Sequence, residues 1–150
     1  MRIYRLSRSK HPALDGEGAR LYGGRWNSAG RPVVYASATV SLAALERLVH
    51  LSLKTLPPDL VAYGIDVPDD LAVPTLAVAL PADWRTPGCA ACRDAGDAWL
   101  VAGTSAVLRA PSAVVPGEFN FLVNPLHADI TRLVVRSTEL FAFDARLSRR

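Results

Sequence analysis

Lysine is scarce in this 150-residue chain (two, against fifteen arginines), and cysteine occurs only twice, methionine once. No apolar run approaches the roughly 18 residues of a membrane span, and the opening MRIYRLSRSKHPALDG lacks the apolar core of a signal peptide, so a soluble, cytoplasmic protein is expected. The 11 prolines and 10 glycines are too few and too scattered for a collagen-like or repeat architecture. Neither a GxGxxG nor a Walker A loop is present, which excludes the common glycine-rich phosphate cradles. Cys89 and Cys92 form one CAAC without a second CxxC or a nearby histidine pair, so a four-ligand zinc site cannot be completed and no metal is expected. These two residues read as incidental free thiols beside a Pro-Gly surface turn. What is abundant is apolar surface: half of the residues are hydrophobic. That content excludes disorder, and one domain spanning 1–150 buries enough surface to fold without a disulfide.

Charge is unevenly spread. Residues 1–31 carry seven basic groups against Asp15 and Glu17, residues 32–145 carry seven basic against twelve acidic groups, and Arg146, Arg149 and Arg150 complete a net +3. A basic N-terminal segment suits an anionic partner, and reads equally as a solvated basic surface. No basic, aromatic-interleaved stripe is present, so direct nucleic-acid binding is not expected.

Residues 2–6 (RIYRL) alternate as a strand, and a polar loop then runs to LYGGRWN, where Gly23-Gly24 permits backbone conformations that a Cβ disfavours. PVVYAS at 32–37 reads as a strand buried on both faces, followed by a helix over 41–54 capped by Thr39 or Ser41 and ended by Pro57-Pro58. A strand is predicted at 60–67, a proline-rich connection with one short turn at PADW over 68–90, and a second helix over 91–103. Strand-like segments follow near 106–110, 118–123, 130–136 and 138–143. Strands outnumber helices without alternating regularly with them, which predicts a single α+β domain: a central, mainly antiparallel or mixed sheet flanked by helices.

Three places break the apolar pattern. On the helix at 41–54, Leu42, Leu45, Val49 and Leu53 define an apolar face at about 100° per residue, with Arg47 and Lys54 pointing away; Glu46 falls on the apolar face, about 40° from Leu42. A carboxylate there is either paired with an arginine or put to use. Arg25 lies in GGRWN, where the glycines allow close backbone approach and the guanidinium fork suits phosphate or carboxylate. Tyr35 sits in the buried strand just before the Glu46 helix, as a core tyrosine with a satisfied hydroxyl or a site residue. The segment APSAVVPGEFNFLVNPLHAD at 110–129 spreads Ser112, Glu118, Asn120, Asn124 and His127 through apolar sequence, and strand alternation turns several of them inward. Ser112 lacks the G-x-S-x-G elbow of a serine nucleophile, and His127 reads as structural.

YR at 4–5, GGRWNSAGRPVVYAS at 23–37, SLAALERLVH at 41–50 and PSAVVPGEFNFLVNPLHAD at 111–129 occur in an order and spacing that resembles the RES domain family, with 68–105 as the least family-like stretch. The resemblance implies a fold related to ADP-ribosyltransferase toxins. It further implies the toxin of a bacterial toxin–antitoxin pair, with an Xre-like antitoxin as partner. Such toxins use NAD+ as a substrate and carry no prosthetic group; they degrade it by hydrolysis or phosphorolysis, with inorganic phosphate as a co-substrate in the latter, or transfer ADP-ribose to a protein. Residue by residue, the resemblance carries the family's Arg to Arg25, its Tyr to Tyr35, its Glu to Glu46 and its Ser to Ser112. Arg5 and Asn120 match less closely as further NAD-binding residues. Under it Glu46 stabilises positive charge developing on the nicotinamide ribose, Arg25 with Arg5 holds the pyrophosphate, Tyr35 packs against or positions the nicotinamide end, and Ser112 binds the ligand or orients Glu46. The apolar half of the chain exceeds what one core requires, in keeping with a surface covered by an antitoxin or a second copy. Outside the enzyme class, the alternatives are a non-enzymatic nucleic-acid-binding module and a domain that retains the fold without activity.

Overall fold

The computed structural model describes residues 1–52 and 56–148. Its strands are β1 (Arg2–Arg8), β2 (Val34–Ser37), β3 (Leu60–Asp66), β4 (Val107–Pro111), β5 (Phe119–Val123) and β6 (Val134–Phe141); its helices are α1 (Glu17–Tyr22), α2 (Val40–Leu48) and α3 (Ala90–Ala102). The strands form one sheet in the order β4-β5-β2-β1-β3-β6, and every pairing between them is antiparallel. The α+β expectation holds.

The sheet is close to being two three-stranded halves. β1 pairs with β3 along its whole length, from Arg2 opposite Asp66 to Arg8 opposite Leu60, and β2 pairs with β5 from Val34 opposite Val123 to Ser37 opposite Asn120. Between β1 and β2 the only register pair is Tyr4 opposite Ser37. The halves stay together because Ile3, Val34, Ala36, Tyr63, Ile65, Phe121 and Val123 share one core on one face of the sheet. On the other face, Trp26, Val33, Leu108 and Leu122 pack with Cys92 and Trp99 of α3, while Leu6 and Leu60 receive Ala43 of α2.

Several elements depart from the sequence expectations. The helix predicted over 41–54 is Val40–Leu48, with Thr39 as its cap: the threonine hydroxyl accepts from Leu42 N at 3.1 Å. Leu53 and Lys54 lie outside the described residues. The rotation of α2 also differs from the apolar-face expectation. Leu42 and Ala43 are buried, whereas Leu45 and Val49 are 44% and 59% exposed. Ala43 and Ala44 let the helix lie close on Leu6 and Leu60, so the buried arc is centred between Leu42 and Ala43. Glu46, at about 40° on that wheel, therefore falls inside the arc rather than at its border.

α1 occupies part of the segment expected to be a polar loop; its six residues bury no side chain, which leaves no apolar periodicity to detect. The two strands expected at 130–136 and 138–143 are one strand, Val134–Phe141, irregular where Arg136 is passed over between the Ile65–Val135 and Gly64–Ser137 pairs. Residues Ala128–Arg132 form a 3-10 turn instead, entered through His127, whose Nδ1 accepts from Asp129 N.

Candidate active site

Glu46 is half-buried on α2 and reaches the end of β4 and the start of β5. Its Oε1 accepts from Ser112 Oγ at 2.6 Å and from Asn120 Nδ2 at 2.5 Å. Ser112 follows the last residue of β4, is fully buried, and has its own oxygen fixed by the backbone N–H groups of Val114 and Val115 at 3.1 and 2.9 Å. That tight turn closes when Ser112 N donates to Glu118 O. Asn120 lies in β5, and its Oδ1 accepts from Ser37 Oγ at 2.7 Å, the two residues facing each other across β2 and β5.

Both donors to Glu46 converge on one oxygen. Oε2 receives no hydrogen bond among the described residues, so the carboxylate is anchored through one oxygen. Both partners of Glu46 are neutral donors, and no arginine pairs with it among the described residues.

Tyr35 precedes Ser37 by two residues on β2 and points to the same face. Its hydroxyl accepts from Trp26 N at 3.0 Å and donates to Asn27 Oδ1 at 2.8 Å, tying the GGRWN segment to the sheet. Burial pushes the phenol well above the ordinary tyrosine range. The loop can reach Tyr35 only because Gly24 has no side chain: a Cβ there would lie 2.5 Å from the tyrosine oxygen. Gly23 meanwhile ends α1 at φ 70°, in the region that favours glycine. Asn27, buried within the motif, donates to Ala19 O and Arg31 O and completes the loop.

Arg25 spans from this loop to the connection before α3. Its guanidinium donates to the carbonyls of Trp84, Arg85 and Thr86 at 2.6, 3.0 and 3.1 Å. A groove of about 330 Å³ opens nearby, lined by Tyr22, Gly23, Gly24, Asn27, Ser28 and Arg93; none of Glu46, Ser112 and Asn120 lines it. Arg5 lies on the other face of β1 from Tyr4, donates to Ala13 O at 2.7 Å and has Asp15 at 3.7 Å. Burial lowers its affinity for the proton, with Asp15 opposing the effect. The fold thus joins Glu46, Ser112 and Asn120 by direct hydrogen bonds. Tyr35 and Arg25 belong to an adjacent loop assembly, and Arg5 is hydrogen-bonded to neither among the described residues.

Ser37 is a site residue that the sequence reading passed over. Its period-two relation to Tyr35 places it on the Tyr35 face, but nothing local marks its partner, 83 residues away. Cys89 caps α3, its sulfur accepting from Cys92 N, and burial pushes the Cys92 thiol up to about 12. No cluster of three or more His, Cys, Asp or Glu suited to a metal ion occurs among the described residues. No helix there is long and apolar enough to cross a membrane.

The chain is similar to known proteins. The sequence is 40% identical to "Toxin Res" of Photorhabdus laumondii, over 98% of this chain and 97% of that protein. It is 37% identical to "Prs ADP-ribosylating toxin" of a Sphingobium species, over 91% and 88% of the two chains. The crystal structure of the M. tuberculosis MbcT–MbcA toxin–antitoxin complex contains a chain that superposes with a TM-score of 0.76 at 23% identity, covering 99% of this chain and 86% of that one, which establishes the shared fold. The RES domain family model matches residues 2–144, and with relatives of this identity and coverage the chain belongs to the RES domain family.

Proposed function

We propose that this protein is the toxin of a toxin–antitoxin pair and that it consumes NAD+ by breaking the bond between nicotinamide and ribose. The observation that carries the reading is the one-sided anchoring of Glu46: Oε1 is held by Ser112 and Asn120 while Oε2 accepts no hydrogen bond among the described residues. When the C–N bond breaks, its electron pair leaves with the nicotinamide nitrogen and the ribose is left as an oxocarbenium-like cation. Nicotinamide departs neutral, so no general acid is needed. What the reaction needs is fixed negative charge beside the ribose, and Glu46 supplies it without having to reorganise. In this reading Oε2 accepts from a hydroxyl of the nicotinamide ribose. Ser112 and Asn120 hold the carboxylate, and Tyr35 holds the GGRWN loop that carries Arg25 toward the pyrophosphate. Arg5, on the opposite face of β1 and bonded to Ala13 O beside Asp15, makes no direct contact with the ligand in this reading.

The acceptor that captures the cation defines three outcomes: water gives hydrolysis, inorganic phosphate gives phosphorolysis, and a protein side chain gives ADP-ribosylation. The last is the second reading, favoured by the name of the Sphingobium relative. The partner is an antitoxin protein of Xre-like type, and its docking beside Glu46 is supported by Leu45 and Val49, exposed on the outer side of α2. Incubation of the purified protein with NAD+, with and without phosphate, followed by proton and phosphorus NMR, distinguishes the outcomes. Nicotinamide with ADP-ribose means hydrolysis, and ADP-ribose-1″-phosphate means phosphorolysis. Absence of both, together with no protein labelled from NAD+ in a lysate, overturns the proposal.

A further inference from the structure

We infer that Ser37 is a positioning residue for Glu46, acting through Asn120; as far as turnover is concerned, this rests on the reading of Glu46 given above. Oδ1 of Asn120 carries no hydrogen, so the 2.7 Å contact requires the Ser37 hydroxyl to donate. With Oδ1 engaged, the other end of the amide is Nδ2, and it faces Glu46 Oε1. The reverse orientation would set an amide oxygen against a carboxylate oxygen. Ser37 and Asn120 are both buried, at 3% and 7% exposure, so water is poorly placed to take over the serine's role. A buried Oδ1 deprived of its donor is free to turn toward whatever donor it can find, and the Nδ2–Glu46 bond turns with it.

Position in the fold strengthens the inference. Ser37 is the last residue of β2 and the one residue of that strand in register with β1, opposite Tyr4. The chain Ser37–Asn120–Glu46 therefore ties the carboxylate to the seam where the two half-sheets meet, while Ser112 ties the same oxygen to the turn after β4. Two supports from different parts of the sheet fix both the position and the rotation of the carboxylate. Ser112 alone, as a single hydrogen bond, would leave it free to swivel.

The test uses the full chain labelled with ¹⁵N-asparagine, with Asn120→Asp identifying the Asn120 side-chain amide signals. In Ser37→Ala, with the backbone spectrum otherwise preserved, the Asn120 amide protons move toward free-amide positions and exchange at least about tenfold faster with solvent. Ser37→Cys, which keeps a weak donor of similar shape, gives an intermediate result and serves if the alanine variant does not fold. In turnover, Ser37→Ala lowers kcat about tenfold with KM for NAD+ nearly unchanged, because binding groups elsewhere are untouched. An Asn120 amide unchanged in both variants overturns the inference, as does a shifted amide with kcat at the wild-type value. A shifted amide in a protein whose wild type does not consume NAD+ supports the positioning of Glu46 and overturns the NAD+ reading instead.

Discussion

Ser112 and Glu46 are 66 positions apart in sequence and meet at a single 2.6 Å hydrogen bond, with the serine oxygen itself clamped by two backbone N–H groups. The carboxylate is thus held by a group that cannot move without opening the turn after β4. This arrangement, with only one carboxylate oxygen engaged, makes the site's chemistry testable by small substitutions.

Glu46→Gln keeps the size of the side chain and removes its charge. Under the proposed mechanism, kcat falls by at least about 100-fold, a loss typical for removal of one preorganised electrostatic group. The variant should fold normally. Nicotinamide release measures the rate and circular dichroism the fold; a rate within a few-fold of wild type would sink the assigned role.

Ser112→Ala acts on stability as well as on activity. It strands the N–H groups of Val114 and Val115 and removes a donor from Glu46, all around a fully buried position. A loss of about 1–3 kcal/mol is expected in urea unfolding, accompanied by lower kcat. Replacement by threonine, which retains the hydroxyl, should recover part of both.

Tyr35→Phe leaves the ring in place and deletes the two hydrogen bonds to Trp26 N and Asn27 Oδ1. The expected outcome is a destabilisation of about 1–3 kcal/mol and a raised KM for NAD+, because the loop carrying Arg25 is loosened. Amide exchange at Trp26, followed by mass spectrometry or NMR, should speed up before any other part of the sheet responds.

The two cysteines should differ sharply in reactivity. Cys92 is buried and its thiol is pushed up to about 12 by that burial, whereas Cys89 is partly exposed. At pH 8 a chromogenic disulfide reagent should titrate one thiol per folded chain, assigned to Cys89 by Cys89→Ser, and the second only after denaturation. Because the folded thiol holds its proton more tightly than the unfolded one, whose ordinary value is 9.0, the contribution of Cys92 to stability is complete below pH 9 and is lost as pH rises from 9 to about 12. Alkaline unfolding of Cys92→Ala should show a correspondingly shallower pH dependence in that window.

Much of the layout was legible in the sequence. Apolar runs and punctuation by glycine and proline indicated β1, β2, β3, β4, β5, the start of α2 and nearly all of α3, and the misfit of Glu46 on an apolar helix face singled it out as paired or functional. The GGRWN glycines suggested a close backbone approach to a ligand; in the structure Gly24 makes its close approach to Tyr35. Helical periodicity, however, states only that a face is buried, not against what, and the small residues Ala43 and Ala44 turned α2 away from the face that Leu45 and Val49 suggested.

The sequence by itself determined the class of fold, the helix that carries the carboxylate and the loop that carries Arg25, because these depend on local periodicity and backbone freedom. Only the tertiary structure decided that Glu46 is supported by Ser112 and Asn120, that Ser37 stands behind Asn120, and that Arg25 and Tyr35 first hold a loop. Those contacts join residues 66 to 83 positions apart in the case of Glu46, Ser112, Asn120 and Ser37, where hydrogen-bond donors are chosen by strand register and sheet order, and no local pattern encodes that choice.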